Sequence, residues 1–429
     1  MRRKWNNKVL CHLAVVILIA LNLGRLAYGQ RPDILSLEKC YSLAIEFSTL
    51  SKQNLLNQNI AEANRQTVNS GYLPQAEING QATYQNDVIP VESFGYQALS
   101  KDQYKATLDL KQVIYDGGYI SHQKQLFKTG LKIEQVKLDI SKQQLKERIN
   151  NFYLSILLIN ENISLVELLR KDIRASIVNL SALLINGITL KSNVDILEAE
   201  LLKADQKLIE LEVNKKSTIE MLSIILGKEI PDNMVFTIPE VEKVKNDMDS
   251  NRAEYKLFEI QKTNLQNQYG LNDSKNMPKL YLFANGGYGR PGYNMLSNDF
   301  TWLYITGVQL SIPLTHWITT HRENKVITYQ QSLIDIQKED FSRNNQMQMK
   351  QQLNEIEMYR LLIEKDKSII TKRIEIKETV AAKLSNGIST SNDFLTELNA
   401  ENQSMLNLKL HEIQLLQATL AYKSLIGNN

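Results

Sequence analysis

Two short segments hold the most suggestive polar chemistry in the chain. Asn186-Gly187 is followed by Ser192, Asn193 and Asp195, and Asn386-Gly387 by Ser391, Asn392 and Asp393. Asn-Gly marks a turn. Ser, Asn and Asp cap a helix that begins just after one, because their side-chain oxygens accept from its free backbone N–H groups. The same carboxylates would favour cations if several copies met around one axis. Both roles stand open for Asp195 and Asp393, which lie eight and six residues beyond their Gly. No catalytic constellation accompanies them. Of the five histidines, His316 and His321 are five apart, not the i, i+4 of a helical zinc pair. No Gly-rich phosphate loop is present, and Gly286-Gly287 lies inside a strand-like pattern. The expectation is a non-enzyme without metal or cofactor.

The elements that must position these segments are long helices. Among 429 residues there are only 18 Gly and 8 Pro, about half the usual share, which argues against a turn-rich all-β fold. From 119 to 186 there is no Pro and one Gly, and from 319 to 386 there is neither. Apolar residues recur at 3-4 spacing through Ile149, Phe152, Ile156, Ile159, Ile163, Val166, Ile173, Ile177, Leu180 and Leu184, a coiled-coil seam. The second segment is less regular, with Leu353, Ile356, Ile363, Ile370, Ile374 and Leu384. Helix resumes beyond each Asn-Gly, so each segment is a helical hairpin with its tip at Gly187 or Gly387. The returning helix, 192–226, is half as long as the descending one. Residues 33–71 and 251–275 are expected as helices that flank the upper halves.

Features recur at an offset near 200: Asn186-Gly187-Ile188 as Asn386-Gly387-Ile388, and Leu226-Gly227 as Ile426-Gly427. The chain reads as an internal duplication, 30–227 and 251–429. Residues 228–250, with Pro231 and Pro239, form an equatorial connector expected to pack outside the helices.

Four short alternating runs complete the pattern, at about 76–85, 104–114, 279–288 and 302–313. Each is long enough to cross a bilayer as a tilted strand. One set of alternate positions is apolar and the other largely polar. Tyr84, Tyr104, Tyr288, Trp302 and Tyr304 fall at one end, and Tyr72, Tyr115 and Trp317 at the other. These are two aromatic girdles of the kind found at membrane interfaces. Four strands leave open edges that lipid does not tolerate. A barrel needs about eight or more strands, so several protomers would share one, three giving about twelve.

Residues 1–29 carry Arg2, Arg3, Lys4 and Lys8, an apolar run from Leu13 to Leu21, and Ala27-Tyr28-Gly29 before Gln30. That is the order of a secretory signal; an uncleaved anchor is the competing reading. Its removal takes five basic residues and leaves 45 basic against 47 acidic. The formal +3 is then a targeting feature, and no nucleic-acid partner is implied. Cys40 remains as a single cysteine, expected to be buried as a small apolar residue. No later run reaches the roughly 18 consecutive apolar positions of a membrane helix.

The chain resembles the TolC-like outer-membrane efflux channels over essentially its whole mature length. The residues that carry the likeness are Leu35-Ser36-Leu37-Glu38-Lys39, Ser70-Gly71-Tyr72-Leu73-Pro74-Gln75, Tyr115-Asp116-Gly117-Gly118, and Gly187 with Asp195-Ile196-Leu197-Glu198-Ala199-Glu200. The resemblance implies a homotrimer in the bacterial outer membrane, spanning into the periplasm. Its fold would be mainly α with a membrane β-barrel: a shared twelve-stranded barrel on an α-barrel of coiled-coil hairpins. It implies a periplasmic adaptor docked at the tips (Asn186 to Asn193, Asn386 to Asn392) and an inner-membrane pump of the RND or ABC type. Departures are visible. Cys40 stands where the family usually has Ala. His316-Trp317-Ile318 replaces Asp-Gly-Gly, so that turn is made without glycine. A Tyr/Arg tip latch of some members meets Leu384 and Ser389, and a pair of constricting aspartates meets Asp393 and Thr396. The alternative class is a periplasmic or surface coiled-coil protein without a pore, which explains the helices but not the four strands.

Overall fold

A computed structural model describes residues 34–88, 90, 95, 100–240 and 250–427. The expected signal and its cut before Gln30 lie outside the described residues. So do parts of the first outer loop (89, 91–94 and 96–99) and of the connector (241–249).

In chain order the elements are β1 (Ile34–Leu35), α1 (Leu37–Phe47), α2 (Leu50–Ser70), β2 (Gln75–Tyr84), β3 (Asp102–Tyr115), α3 (Tyr119–Ile185), α4 (Lys191–Leu226), β4 (Val235–Phe236), α5 (Ala253–Ser274), β5 (Lys279–Arg290), β6 (Thr301–Ser311), α6 (Trp317–Ser385) and α7 (Ser391–Ile426). The helix expected over 33–71 is broken: α1 ends at Ser48, whose N–H still reaches Ala44 O at 2.9 Å, and α2 restarts from Thr49. The break separates two compact units, each built from pieces of both halves of the sequence.

The first unit holds residues 34–48, 143–240 and 349–427 of the described chain. Its largest core packs Leu37, Cys40 and Ala44 of α1 on Ile149, Tyr153 and Ile156 of α3, with Leu222 and Leu226 of α4 and Ile413 and Leu416 of α7. The seam expected for α3 is the one that is used: Ile149, Ile156, Ile173 and Leu180 are buried, and Phe152, Ile159, Ile163 and Ile177 pack beside them. One 18-residue window of α3 is apolar enough on average to cross a membrane, with a mean hydropathy of 1.5. Counting consecutive apolar residues misses such a window, because polar residues of a core helix interrupt it.

The connector is not merely an outer strap. Ile230 and Phe236 are buried in this core, and β4 pairs in parallel with β1, Ile34 to Val235 and Leu35 to Phe236. The Tyr153 hydroxyl fastens both strands. Its single proton has two carbonyls within reach, Leu35 O (2.8 Å) and Thr237 O (2.7 Å), and its oxygen accepts from Thr237 N (3.0 Å). A buried hydroxyl needs such partners.

The second unit holds the sheet with α2, α5 and the first parts of α3 and α6. Its helices meet through aromatic contacts, Tyr255 and Phe258 of α5 on Phe341 of α6, and through polar ones. The Asn264 amide reaches Thr129 Oγ1 at 2.7 Å, Lys262 pairs with Asp335 at 2.8 Å, and Lys338 with Glu259 at 2.6 Å. Val68 is the one buried residue of α2, while Leu55, Leu56 and Ile60 are exposed. Four antiparallel strands run in the order β2-β3-β5-β6. Within the described residues β2 and β6 pair on one side only.

At the turn into α3, Asp116 caps the helix. Its Oδ1 accepts from Gly118 N (2.9 Å) and its Oδ2 from Ile120 N (2.7 Å). Gly117 has φ 71°, and a Cβ there would meet Met277 Cβ at 2.3 Å. The matching turn into α6 has no glycine; Thr320 N bonds His316 O at 3.1 Å.

Candidate functional site

Register decides which side chains share a face of the sheet. Ala76 faces Leu110, Ile78 faces Leu108, and Ala82 faces Tyr104. Across the next pair Ala106 faces Tyr288, and across the last Tyr288 faces Trp302 and Gly286 faces Tyr304. Even-numbered positions of the four strands therefore share one face as far as the irregularity at Val113–Tyr115, and that face is mostly apolar, with Asp102, Gln112, Arg290 and Thr306 as its polar members. It is open to the surroundings: Ile78, Trp302 and Tyr304 are 81–82% exposed.

Tyr84, Tyr104, Tyr288 and Trp302 stand at the loop end of their strands, with Tyr304 one rung farther in. Tyr115 pairs with Leu280 at the other end. Tyr72 precedes β2 and lies under the Lys124 ammonium, 4.9 Å from its ring centre. Trp317 opens α6 and is exposed. Alternation alone did not single out Phe300, which stacks on Tyr104 and Tyr288, nor Arg290, which pairs with Asp102 beside them.

The opposite face is less polar than alternation suggested. In β2 and β3 it is polar, and Asp109 accepts from Asn79 (2.6 Å), Thr107 (3.3 Å) and Asn285, tying three strands. In β5 and β6 it also carries Tyr281, Phe283, Leu303 and Ile305. Leu303 is buried, and the Phe283 ring lies 3.0 Å from where a Cβ on Gly307 would sit. Trp302-Leu303-Tyr304-Ile305 is apolar on both parities, so period-2 counting saw only one of them.

The hairpin tips share one backbone device. Gly187 and Gly387 have φ 70° and 72°. Gly187 N bonds Leu184 O and Ile188 N bonds Leu183 O, at 3.0 and 2.9 Å; Gly387 and Ile388 do the same with Leu384 and Lys383. This double bond closes the last turn and requires a left-handed residue, hence Gly. Asn186 and Asn386 each turn the side-chain amide onto the carbonyl four residues back, Ala182 at 2.9 Å and Ala382 at 2.8 Å.

Beyond the glycines the tips differ. The cap of α7 is Thr390, with Asp393 as its reciprocal partner. Asp393 Oδ2 accepts from Thr390 N (3.0 Å), Thr390 Oγ1 (2.7 Å) and Ser389 Oγ (3.1 Å). The Thr390 N–H, then the two hydroxyls, hold its carboxyl below the usual aspartate value. The cap of α4 is Leu190, which offers no side-chain acceptor. The third residue of α4, the counterpart of Asp393, is Asn193, whose amide reaches Thr189 Oγ1 at 3.0 Å. Asp195 lies two residues farther and exposed, so it is neither a cap nor the equivalent of Asp393. The two tips match position for position, six residues from Gly to Asn193 or Asp393, and the longer Gly-to-Asp spacing in the first arises because Asn stands there in place of Asp.

The two tips also touch. Ser391, fully buried, donates from Oγ to Asn193 O at 2.8 Å, while Ser192 and Asn392 stay exposed. Behind them Ile173, Leu180, Val194 and Leu197 pack on Leu384, Phe394, Leu395 and Leu398. Lys377 lies between Asp172 (3.4 Å) and Glu401 (2.8 Å). Burial pulls its pKa down, but the two carboxylates outweigh that and raise it. Among the described residues no group of three or more His, Cys, Asp or Glu could hold a metal ion.

No protein-family model and no curated protein matches the sequence. Solved structures do. VceC, an outer-membrane protein of Vibrio cholerae, is 14% identical, with 91% of this chain and 96% of that one covered at a TM-score of 0.70. The CmeC outer-membrane channel of Campylobacter jejuni is 13% identical, covering 91% and 85% at 0.68. The MtrE outer-membrane channel of Neisseria gonorrhoeae, in its open state, is 15% identical, covering 91% and 88% at 0.69. The fold expected from the TolC-like resemblance is thus the fold these outer-membrane channels share: mostly helical, with a few antiparallel strands.

Proposed function

We infer that the chain is a passive outer-membrane exit duct, the outer component of a tripartite efflux or type I secretion system. One observation carries this reading. The sheet presents a mostly apolar face with aromatic ends, while among the described residues its edge strands β2 and β6 each pair on one side only. Lipid does not accept free backbone edges, so three copies would join edge to edge into a barrel of about twelve strands. The polar face would then line an aqueous bore. The two halves, 30–227 and 251–429, read as copies of one repeat that each supply two strands and one hairpin.

The tips, from Asn186 to Asn193 and Asn386 to Asn392, would meet a periplasmic adaptor, and an inner-membrane pump of the RND or ABC type would supply the driving force. Asp195 and Asp393, at the tips, would make the entrance acidic and favour cations there. No catalytic step is assigned to the chain. Detergent-extracted protein is expected to appear as a hollow three-fold particle in negative-stain electron microscopy. A monomer soluble without detergent would remove the duct and leave a coiled-coil scaffold.

A further inference from the structure

The connection between β5 and β6, residues 291–300, is fastened to both faces of the sheet. On the apolar face Phe300 stacks on Tyr104 and Tyr288, with ring centres 6.4 and 5.8 Å apart. The Arg290 guanidinium lies 5.1 Å from the same Phe300 ring. On the polar face the Tyr293 hydroxyl donates to Asn285 Oδ1 at 3.4 Å, and the Lys105 ammonium lies 5.8 Å from the Tyr293 ring centre. Asn285 is five residues in from the end of β5. Tyr293 is therefore turned back along the strand, not out beyond it.

One further contact holds the loop in this position, and its pivot is tight. Asn298 Oδ1 accepts from Ser100 N at 2.9 Å. A Cβ on Gly292 would lie 2.2 Å from Thr301 Oγ1, so the pivot next to Tyr293 has no room for a larger residue unless Thr301 moves. An outward-pointing loop would need none of these contacts.

We propose that Tyr293, supported by Asn285 and Lys105, narrows the bore just inside its outer mouth and so limits the size of what leaves or enters there. This rests on the reading above, in which the polar face lines the bore. Three copies of Tyr293 would then project from three loops toward one axis. The ring is half exposed and is held by one neutral hydrogen bond and one cation–π contact. Contacts of that kind are weak enough to yield to a bulky cargo, so the device acts as a sieve and not as a plug.

Thiol labelling of the full chain in intact cells tests this. Gln309→Cys, an exposed position on the polar face deeper than Tyr293, and Met295→Cys are each exposed to a small maleimide and to a large polyethylene-glycol maleimide added outside. Cys40 is fully buried, with its thiol pushed up to about 12 mainly by burial, and stays silent. Gln309→Cys should react roughly tenfold or more slowly with the large reagent relative to the small one, the selection a narrow lining imposes. Met295→Cys, at the exposed turn, should show little difference. Adding Tyr293→Ala should speed the large reagent at Gln309→Cys and leave the small one unchanged. Equal reaction of both thiols with the large reagent overturns the proposal, and so does an unchanged rate at Gln309→Cys once Tyr293→Ala is added. If the small reagent reaches none of these thiols until the cells are broken, the outer-membrane duct itself is wrong.

Discussion

At the residue scale, the two hairpin tips show how much a single side chain decides. Asp393 gives one oxygen to three donors of its own helix start. Its lowered pKa means that it stabilises the folded tip fully above the ordinary aspartate range. That contribution is lost as pH falls through the lowered folded value. Protection of the first-turn amides of α7 against hydrogen exchange, taken relative to their intrinsic rates at each pH, should therefore fall on acidification, and Asp393→Asn should lower it at neutral pH as well. The first turn of α4, which begins at Leu190 without a side-chain cap, should show no such step. Glycine at Gly227 is a second decisive choice. Its φ is 64°, and a Cβ would lie 2.0 Å from the Phe47 ring. Gly227→Ala should destabilise by about 2–3 kcal/mol, combining left-handed strain with overpacking. Gly187→Ala, with open space around it, should cost only about 1–2 kcal/mol of strain. Paired thermal melts compare the two directly.

At the scale of elements, the coiled-coil seam was legible because 3-4 spacing survives in the sequence wherever packing is apolar. Ile149, Ile156, Ile173 and Leu180 are buried as that spacing requires. The polar contacts between the hairpins, which supplement their apolar cluster, were not legible, since they join residues far apart in sequence. Lys377 reaches Asp172 across 205 positions, and nothing local marks either residue. Within the second hairpin, Asp366, buried on α6 beside His411 of α7 at 2.6 Å, was equally unmarked. Glu401 is 5% exposed, so removing its partner strands a buried charge. Lys377→Ala should destabilise by about 3 kcal/mol, whereas Lys377→Met combined with Glu401→Leu should recover most of it. A double-mutant cycle on thermal midpoints measures the difference. The break at Ser48–Thr49 also escaped sequence reading, because neither Gly nor Pro marks it.

At the scale of the whole molecule, the repeats in sequence and the compact units in space are different divisions. The element order helix, two strands, long helix, returning helix occurs twice, yet each compact unit draws on both halves. What joins the halves within the sheet is the pairing of β3 with β5, eleven matched positions with one irregularity at Val113–Tyr115. That pairing depends on a close backbone approach at Gly287, where a Cβ would lie 2.3 Å from Ala106 O. Gly287→Ala should lower the amount of detergent-extracted oligomer several-fold, while the helical signal in circular dichroism stays near wild type. The strands were legible from alternation and length; the order β2-β3-β5-β6 was not, because alternation carries no information about neighbours.

That strand order also sets a timetable for the chain as it is made. The β2–β3 ladder is local, with Asn79 and Asp109 only 30 positions apart. The β3–β5 ladder joins Asp109 to Asn285 across 176 positions. Every residue of the first hairpin must be synthesised before β3 can meet its second neighbour. Ladders of such separation form slowly, because the long loop must close before any contact offsets its entropy. Until then β3 holds a bare edge and an apolar face in water, the combination that invites wrong pairing. In an exported duct of the kind proposed, the first half of the chain would need a holding factor for as long as the second half is still arriving.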